Sequence, residues 1–329
     1  MRDSDAANSY TELEDDRATT QRFLVFARVG SKSLHREWLV EPRTQRNWDL
    51  QLSTYVVDAD DLSDGDFPLS IDTGTKWDSV CRYFAAQPEL LDRYDYIMFP
   101  DDDLLFAEGG ISELFRICTE EKLEIAQPSL TLESYFSYPI VLWCPGLKLR
   151  YSNFVEPMCP IIRTSYLKLL LPQLARWNTG WGQDDIWTLM MPEPAYRSAL
   201  IDAAPIVHTR PLYTGDIYKA FTKMGKDPHA EMAEIRQSFS NLPNAKLIYG
   251  GISRKGRPLG SARTNLLNGL RLIRIASRAR DGKSEAVRTG CGMLIRMVTR
   301  LGYKPKQVKQ RPAAEAATPR ARAVSVTPA

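Results

Sequence analysis

Cysteine, histidine and long apolar runs are all scarce in this chain. Its 329 residues include five cysteines and three histidines. Cys81, Cys118, Cys144, Cys159 and Cys291 are odd in number, scattered, and form no Cys-x-x-Cys pair. That argues against a disulfide framework, a zinc knuckle or a redox dithiol, and for free thiols in a reducing compartment. No window reaches eighteen uninterrupted apolar residues, so no transmembrane helix is expected. Residues 1–20 are polar and acidic without an apolar centre, unlike a signal peptide or membrane anchor, and a cytoplasmic location is expected. No internal repeat is visible.

Net charge is also low, +3, but it conceals an uneven distribution. Residues 251–329 carry 18 Lys and Arg against 3 Asp and Glu, whereas the rest carries 25 against 37. The body is acidic and the tail strongly basic. The expected organisation is a disordered acidic lead-in over 1–20, an α/β domain over 21–250, a basic amphipathic helical extension over 251–310, and a disordered tail over 311–329.

The chain is organised around Tyr94–Leu104, an aromatic and apolar run stopped by Pro100 and followed by Asp101, Asp102 and Asp103. Such a run suits the centre of a parallel sheet, whose ligands bind beyond the carboxyl ends of its strands. In an extended segment Asp101 and Asp103 face the same way, so both can reach one hard cation such as Mn²⁺ or Mg²⁺. The plainer alternative is a solvated acidic turn. Phe23–Ala27 and Trp48–Val57 read as further strands, with Arg28–Ser33 as a turn. Helices are expected after Thr75, with Trp77, Val80, Cys81 and Phe84 on one face, and again through Ile111, Leu114, Phe115 and Cys118. Leu123–Ala126 reads as strand, and 129–160 as an irregular, aromatic and proline-rich stretch that either lines a cleft or forms core.

Thr164-Ser165 can cap a helix carrying Leu167, Leu170, Leu171 and Leu174. Gly180-Trp181-Gly182 is a tight turn that delivers Asp184 and Asp185, although an Asp in that place can equally be a helix cap. His208 ends a short apolar run, as a structural residue or a ligand. Asp227-Pro228 opens another helix. In the tail, Leu266, Leu267, Leu270 and Ile273 share one side of a helix and Arg271, Arg274 and Arg278 another; Leu294, Met297, Val298 and Leu301 repeat the pattern. Such helices can lie on an anionic membrane, bind a partner, or fold back on the acidic body. Nucleic acid ranks low, because Tyr303 is the tail's only aromatic residue.

A strand followed by Asp-x-Asp, a Trp-Gly-x-Asp-Asp turn and a later strand-end histidine come in the order used by GT-A glycosyltransferases. More closely, Lys76 to His208 resembles the family known as domain of unknown function 707. The matching pieces are Thr75-Lys76-Trp77, Asp101–Leu104, Leu123–Pro128, Phe154–Met158, Trp181–Asp184 and Ile206–His208. The resemblance implies a single GT-A-like (Rossmann-like) α/β domain with a mixed, mostly parallel sheet, followed by the basic helical extension.

It further implies a metal-dependent glycosyltransferase acting, with inversion, on a UDP- or GDP-linked sugar. Asp103, Asp101 and His208 would hold Mn²⁺ or Mg²⁺. Asp101, Asp102, Lys76 and Arg28 would meet the donor, and Glu156 and Trp181 the acceptor. Asp184 or Asp185 would be the base, the choice falling narrowly on Asp185. The acceptor would be a glycan or lipid-linked hydroxyl, with the basic tail at the inner face of a membrane. The competing readings are a metal-dependent phosphoester hydrolase and a GT-A-like protein that binds nucleotide or glycan without turnover.

Overall fold

In the computed structural model the described residues are 22–56, 62–212, 221–280 and 282–312. The expected lead-in, most of the tail beyond 311 and residues 57–61 lie outside them. The fold is α/β, a mixed sheet flanked by helices with a helical C-terminal region.

The first strands are β1 (Phe23–Val29), β2 (Trp48–Thr54) and β3 (Ser70–Ile71), followed by β4 (Tyr96–Met98), β5 (Leu104–Leu105) and β6 (Ile125–Leu130). After them come β7 (Leu147–Ser152), β8 (Ile161–Arg163), β9 (Ser198–His208), β10 (Phe239–Ser240), β11 (Ile248–Ser253), β12 (Pro258–Gly260) and β13 (Lys309–Gln310). The main sheet runs β12-β11-β7-β9-β6-β8-β4-β1-β2-β3, with β5 added against β9. The side holding β1 to β4 is built on parallel pairs, whereas β7, β11 and β12 are antiparallel. Because β8 is antiparallel to both β4 and β6, and β9 is parallel to β6, the carboxyl ends of β1, β4, β6 and β9 share one edge. Arg28, the acidic triplet and His208 therefore collect at that edge.

β2 alternates apolar and polar residues, a pattern that ordinarily gives one face to water, yet it is buried throughout. Its polar side chains are satisfied internally: Arg43 and Tyr94 donate to Asp49, Tyr83 donates to Gln51, and Ser53 pairs with Ser79.

Three short or medium helices lead into the site, α1 (His35–Trp38), α2 (Lys76–Ala86) and α3 (Leu90–Arg93). Thr75 and Asp78 form a capping box on α2, which buries Trp77, Val80 and Phe84 as the spacing predicts. α4 (Gly110–Glu120) buries Ile111, Leu114, Phe115 and Cys118. α5 (Thr164–Arg176) buries Leu167, Leu170 and Leu174. Its cap is Arg163; Thr164 instead turns its hydroxyl to the Tyr94 and Asp95 carbonyls.

Past α6 (Gln183–Ile186) and α7 (Pro228–Ser238), the chain closes with α8 (Ser261–Ile275) and α9 (Lys283–Thr299). Asp227 caps α7, accepting from His229 N and Ala230 N. Two sequence expectations change. The stretch 129–160 contains β7, an interior strand, and the boundary placed at residue 250 falls inside β11, so the sheet continues to Gly260.

Candidate active site

The acidic triplet follows β4, and its three members have three different surroundings. Asp101 accepts from Lys76 Nζ at 2.7 Å. Lys76 also donates to the carbonyls of Phe99 (2.7 Å) and Pro157 (2.9 Å), so its three ammonium protons hold the strand end together. Burial raises the Asp101 pKa, with the Asp103 charge adding and Lys76 opposing, although the side chain is still 45% exposed and partly screened. Asp102 accepts from Gly30 N at 3.0 Å and from Arg210 Nη1 at 2.8 Å, which ties the β1 and β9 loops together.

Asp103 is placed by the pairing of β5 with the end of β9, where Leu104 sits opposite His208 and Thr209 N donates to the Asp103 carbonyl. Its Oδ2 lies 3.2 Å from His208 Nε2. The His208 Nδ1 lies 2.8 Å from the Tyr135 carbonyl, which can only accept, so Nδ1 carries a proton. In neutral imidazole the lone pair is then on Nε2, directed at a carboxylate. Burial lowers the His208 pKa, but the hydrogen bond and charge of Asp103 outweigh it and the net shift is upward. Asp103 Oδ1 is buried with no hydrogen-bond partner among the described residues.

Among the described residues no group of three or more His, Cys, Asp or Glu side chains is arranged to hold a metal alone. Asp103 and His208, with Asp101 as neighbour, make a partial donor set. Mg²⁺ and Mn²⁺ commonly complete such a set with phosphate oxygens and water. The orphaned Asp103 oxygen, with the His208 ring nitrogen 3.2 Å from the other, fits a cation.

A second group of acids sits around Lys246, a residue the sequence reading passed over. Its Nζ lies 3.7 Å from both Asp184 Oδ2 and Asp185 Oδ1, and against the faces of Phe154 (3.9 Å) and Tyr138 (4.2 Å). Burial raises the Asp184 pKa, helped by Asp185 and opposed by Lys246. Glu156 is pushed up to about 7, first by burial, with Gln127 lowering it and Asp184 raising it. Asp185 differs from both, because Arg236 Nε of α7 donates to it at 2.7 Å.

Gly180 and Gly182 have φ of +89° and +82°, and a Cβ at Gly180 would come 2.9 Å from Trp77 Nε1. That turn lies against Trp77 of α2 and against Met232 and Ile235 of α7, and Gly182, not Asp184, occupies the cap position of α6. Trp181 packs edge-on to His229, 4.7 Å between centroids. It lines an open cleft of about 670 Å³ with Phe221, Lys226, Asp227 and His229, to which the acid clusters do not contribute. Arg28 is half-buried and donates to the Asp72 and Gly74 carbonyls ahead of α2 and to Ser53 of β2, so its hydrogen bonds go to protein groups.

Over residues 7–151 the chain matches the family described as protein of unknown function (DUF707). The match includes Lys76, the acidic triplet and Leu123–Pro128, begins within the acidic head, and ends before Phe154. No curated protein matches the chain. Similar solved structures include S. aureus TarS 1-349 (11% identity, 86% of this chain and 92% of that one, TM-score 0.38). The same protein in complex with UDP matches at 9% identity over 90% of this chain and 98% of that one, TM-score 0.41. GalNAc-T7 with UDP, GalNAc and Mn²⁺ matches at 10% identity over 87% of this chain and 57% of that one, TM-score 0.48. All three stay below a TM-score of 0.5.

Proposed function

We propose that the chain is a divalent-metal-dependent glycosyltransferase that moves a sugar from a UDP- or GDP-linked donor to the hydroxyl of a glycan or lipid-linked acceptor. The carrying observation is Asp103, with one buried carboxylate oxygen unpartnered and the other 3.2 Å from His208 Nε2. An unpaired buried carboxylate oxygen is costly, and a cation held by Asp103 and His208 would relieve it. Asp103 and His208 would hold Mn²⁺ or Mg²⁺, with Asp101 beside them; the bound ion would supply positive charge to neutralise the departing nucleoside diphosphate.

The bond between Asp185 and Arg236 supports Asp184, rather than Asp185, as the general base. Asp184 would take the proton of the acceptor hydroxyl as its oxygen attacks the anomeric carbon. The new C–O bond forms on the face opposite the breaking bond to the diphosphate, which inverts the centre. Burial holds Glu156 at about 7, so near neutrality its carboxyl is partly protonated. Glu156 then suits a hydrogen bond to a sugar hydroxyl. Lys76, whose donors are all engaged, acts as a positioning residue for Asp101, and Asp102 and Arg28 as supports for the loops that meet the donor. Trp181 offers a flat apolar wall to an acceptor sugar.

The test is a panel of UDP- and GDP-sugars with Mn²⁺, reading nucleoside diphosphate release with and without oligosaccharide or lipid-linked acceptors. Acceptor-stimulated release that Asp184→Asn lowers about a hundredfold or more is the expected result. Release indifferent to acceptor would point to phosphoester hydrolysis, and no release by any donor would leave a binding protein.

A further inference from the structure

The helix α8 enters the fold by a side that mixes polar and apolar residues. Ser261, Thr264, Asn265, Asn268 and Gly269 are buried there with Leu272 and Ile275, and Asn265 Nδ2 donates to the Ile248 carbonyl of β11. α8 and α9 cross where Gly269 meets Gly290: a Cβ on either would come within 2.9 or 2.8 Å of the other's carbonyl oxygen. This close crossing leaves Leu266, Leu267 and Leu270 outward. Leu270 is 53% exposed, and Ile295 and Val298 of α9 are 62% and 64% exposed.

These side chains form one surface. Leu266 and Leu270 are four apart on α8, next to the crossing, and Ile295 and Val298 are three apart on α9. Leu294 lies against Gly269 and bridges the two rows. Exposed Arg263 and Arg274 edge the α8 row, and Arg288 the α9 row. Among the described residues of the two helices Glu285 is the one acid, and it is paired with Arg288.

We propose that this face of the α8–α9 pair docks on a membrane surface containing anionic lipid, its apolar rows entering the headgroup boundary and its arginines meeting lipid phosphates. Charge complementarity selects the occupant, since residues 251–329 carry 18 basic residues against 3 acidic. A second copy of this chain would set arginines against arginines across a twofold axis. No helix among the described residues is long and apolar enough to cross a membrane, so the mode is interfacial. The inference deepens the transferase reading by placing the protein beside a lipid-linked or surface acceptor, but it stands on the hairpin alone.

Flotation of the full chain with phosphatidylcholine vesicles, and with vesicles also containing phosphatidylglycerol, tests it. Partitioning onto the anionic vesicles alone, weakened by salt, is expected. Ile295→Asp combined with Val298→Asp, at exposed positions that leave the core intact, and separately Arg263→Glu combined with Arg274→Glu, should each lower partitioning by about tenfold or more. Absence of partitioning, equal binding to both vesicles, or binding untouched by both double variants would overturn the proposal. So would a wild-type oligomer that becomes monomeric in the Asp variant without any lipid binding. Stabilisation by Mn²⁺ with UDP or GDP should be the same in these variants, so failure of the vesicle result and failure of the transferase reading are separable.

Discussion

Two sets of buried charge lie in this molecule, and they are built on opposite terms. Arg150 of β7 and Asp202 of β9 are both fully buried and closed on each other: Arg150 donates Nε and Nη2 to the two Asp202 oxygens, Nη1 to the Ile140 carbonyl and Nη2 also to the Leu142 carbonyl, while Cys144 N donates to Asp202. Around Asp101, Asp103, His208, Glu156 and Asp184 the acids outnumber their cations, one oxygen is orphaned, and the Glu156 and Asp184 carboxyls are held above their ordinary range by burial. A closed pair is architecture. An open one has valence left for something that arrives from outside.

The contrast can be broken at the closed pair first. Asp202→Ala strands a buried guanidinium and should cost about 3–5 kcal/mol in urea unfolding, whereas Arg150→Met with Asp202→Leu should recover most of the loss. Equal stability of the single variant would remove the distinction drawn between the two clusters. At the open cluster the sign reverses for Glu156. Its folded pKa, about 7, lies above its ordinary 4.5, so the folded state binds the proton more tightly. Its contribution is present below 4.5 and is lost as pH rises through 7, a fall of about 3 kcal/mol. Glu156→Gln should flatten that slope in a pH series of unfolding curves; an unchanged slope would assign it to other groups.

A functional asymmetry comes next. Asp103→Asn should leave metal-free stability unchanged or slightly raised, yet reduce donor turnover about a hundredfold, the scale of losing one preorganised electrostatic contact. A stability loss like that of Asp202→Ala would make Asp103 structural. The smallest effect separates the neighbouring acids. Asp185→Asn removes a half-exposed contact with Arg236 and should cost about 0.2–1 kcal/mol with turnover largely kept, whereas Asp184→Asn should keep stability and lose turnover. If Asp185→Asn is the inactive one, the base returns to Asp185.

Much of this was legible in the sequence because it is local. The run before Asp101, the two-residue spacing to Asp103 and the strand ending in His208 carry their chemistry in adjacent residues, and the α2, α4 and α5 faces follow their apolar spacing. Lys246 carried no such mark. It precedes an ordinary apolar run and reaches Asp184 only because β11 pairs with β7, which is a long-range fact. Arg236 was equally silent, one of several charges on α7. β7 escaped notice because Lys148 and Arg150 interrupt its apolar pattern, and only Asp202 makes burial of Arg150 tolerable. In α8 the stripe of Leu266, Leu267 and Leu270 was legible, but the sequence left open whether it meets a membrane, a partner or the acidic body. The sheet takes the opposite face through asparagine hydrogen bonds and a glycine crossing, interactions that apolar periodicity does not register.

The central claim is that the Asp103–His208 pair awaits a cation and a diphosphate. Thermal unfolding of the full chain with Mn²⁺ and UDP or GDP, beside Asp103→Asn, tests it most directly. Ligand at about 100 times its dissociation constant adds roughly 2.7 kcal/mol, so the account predicts a clear upward shift that needs both metal and nucleotide and vanishes in the variant. A shift that persists without metal, or survives Asp103→Asn, would contradict it.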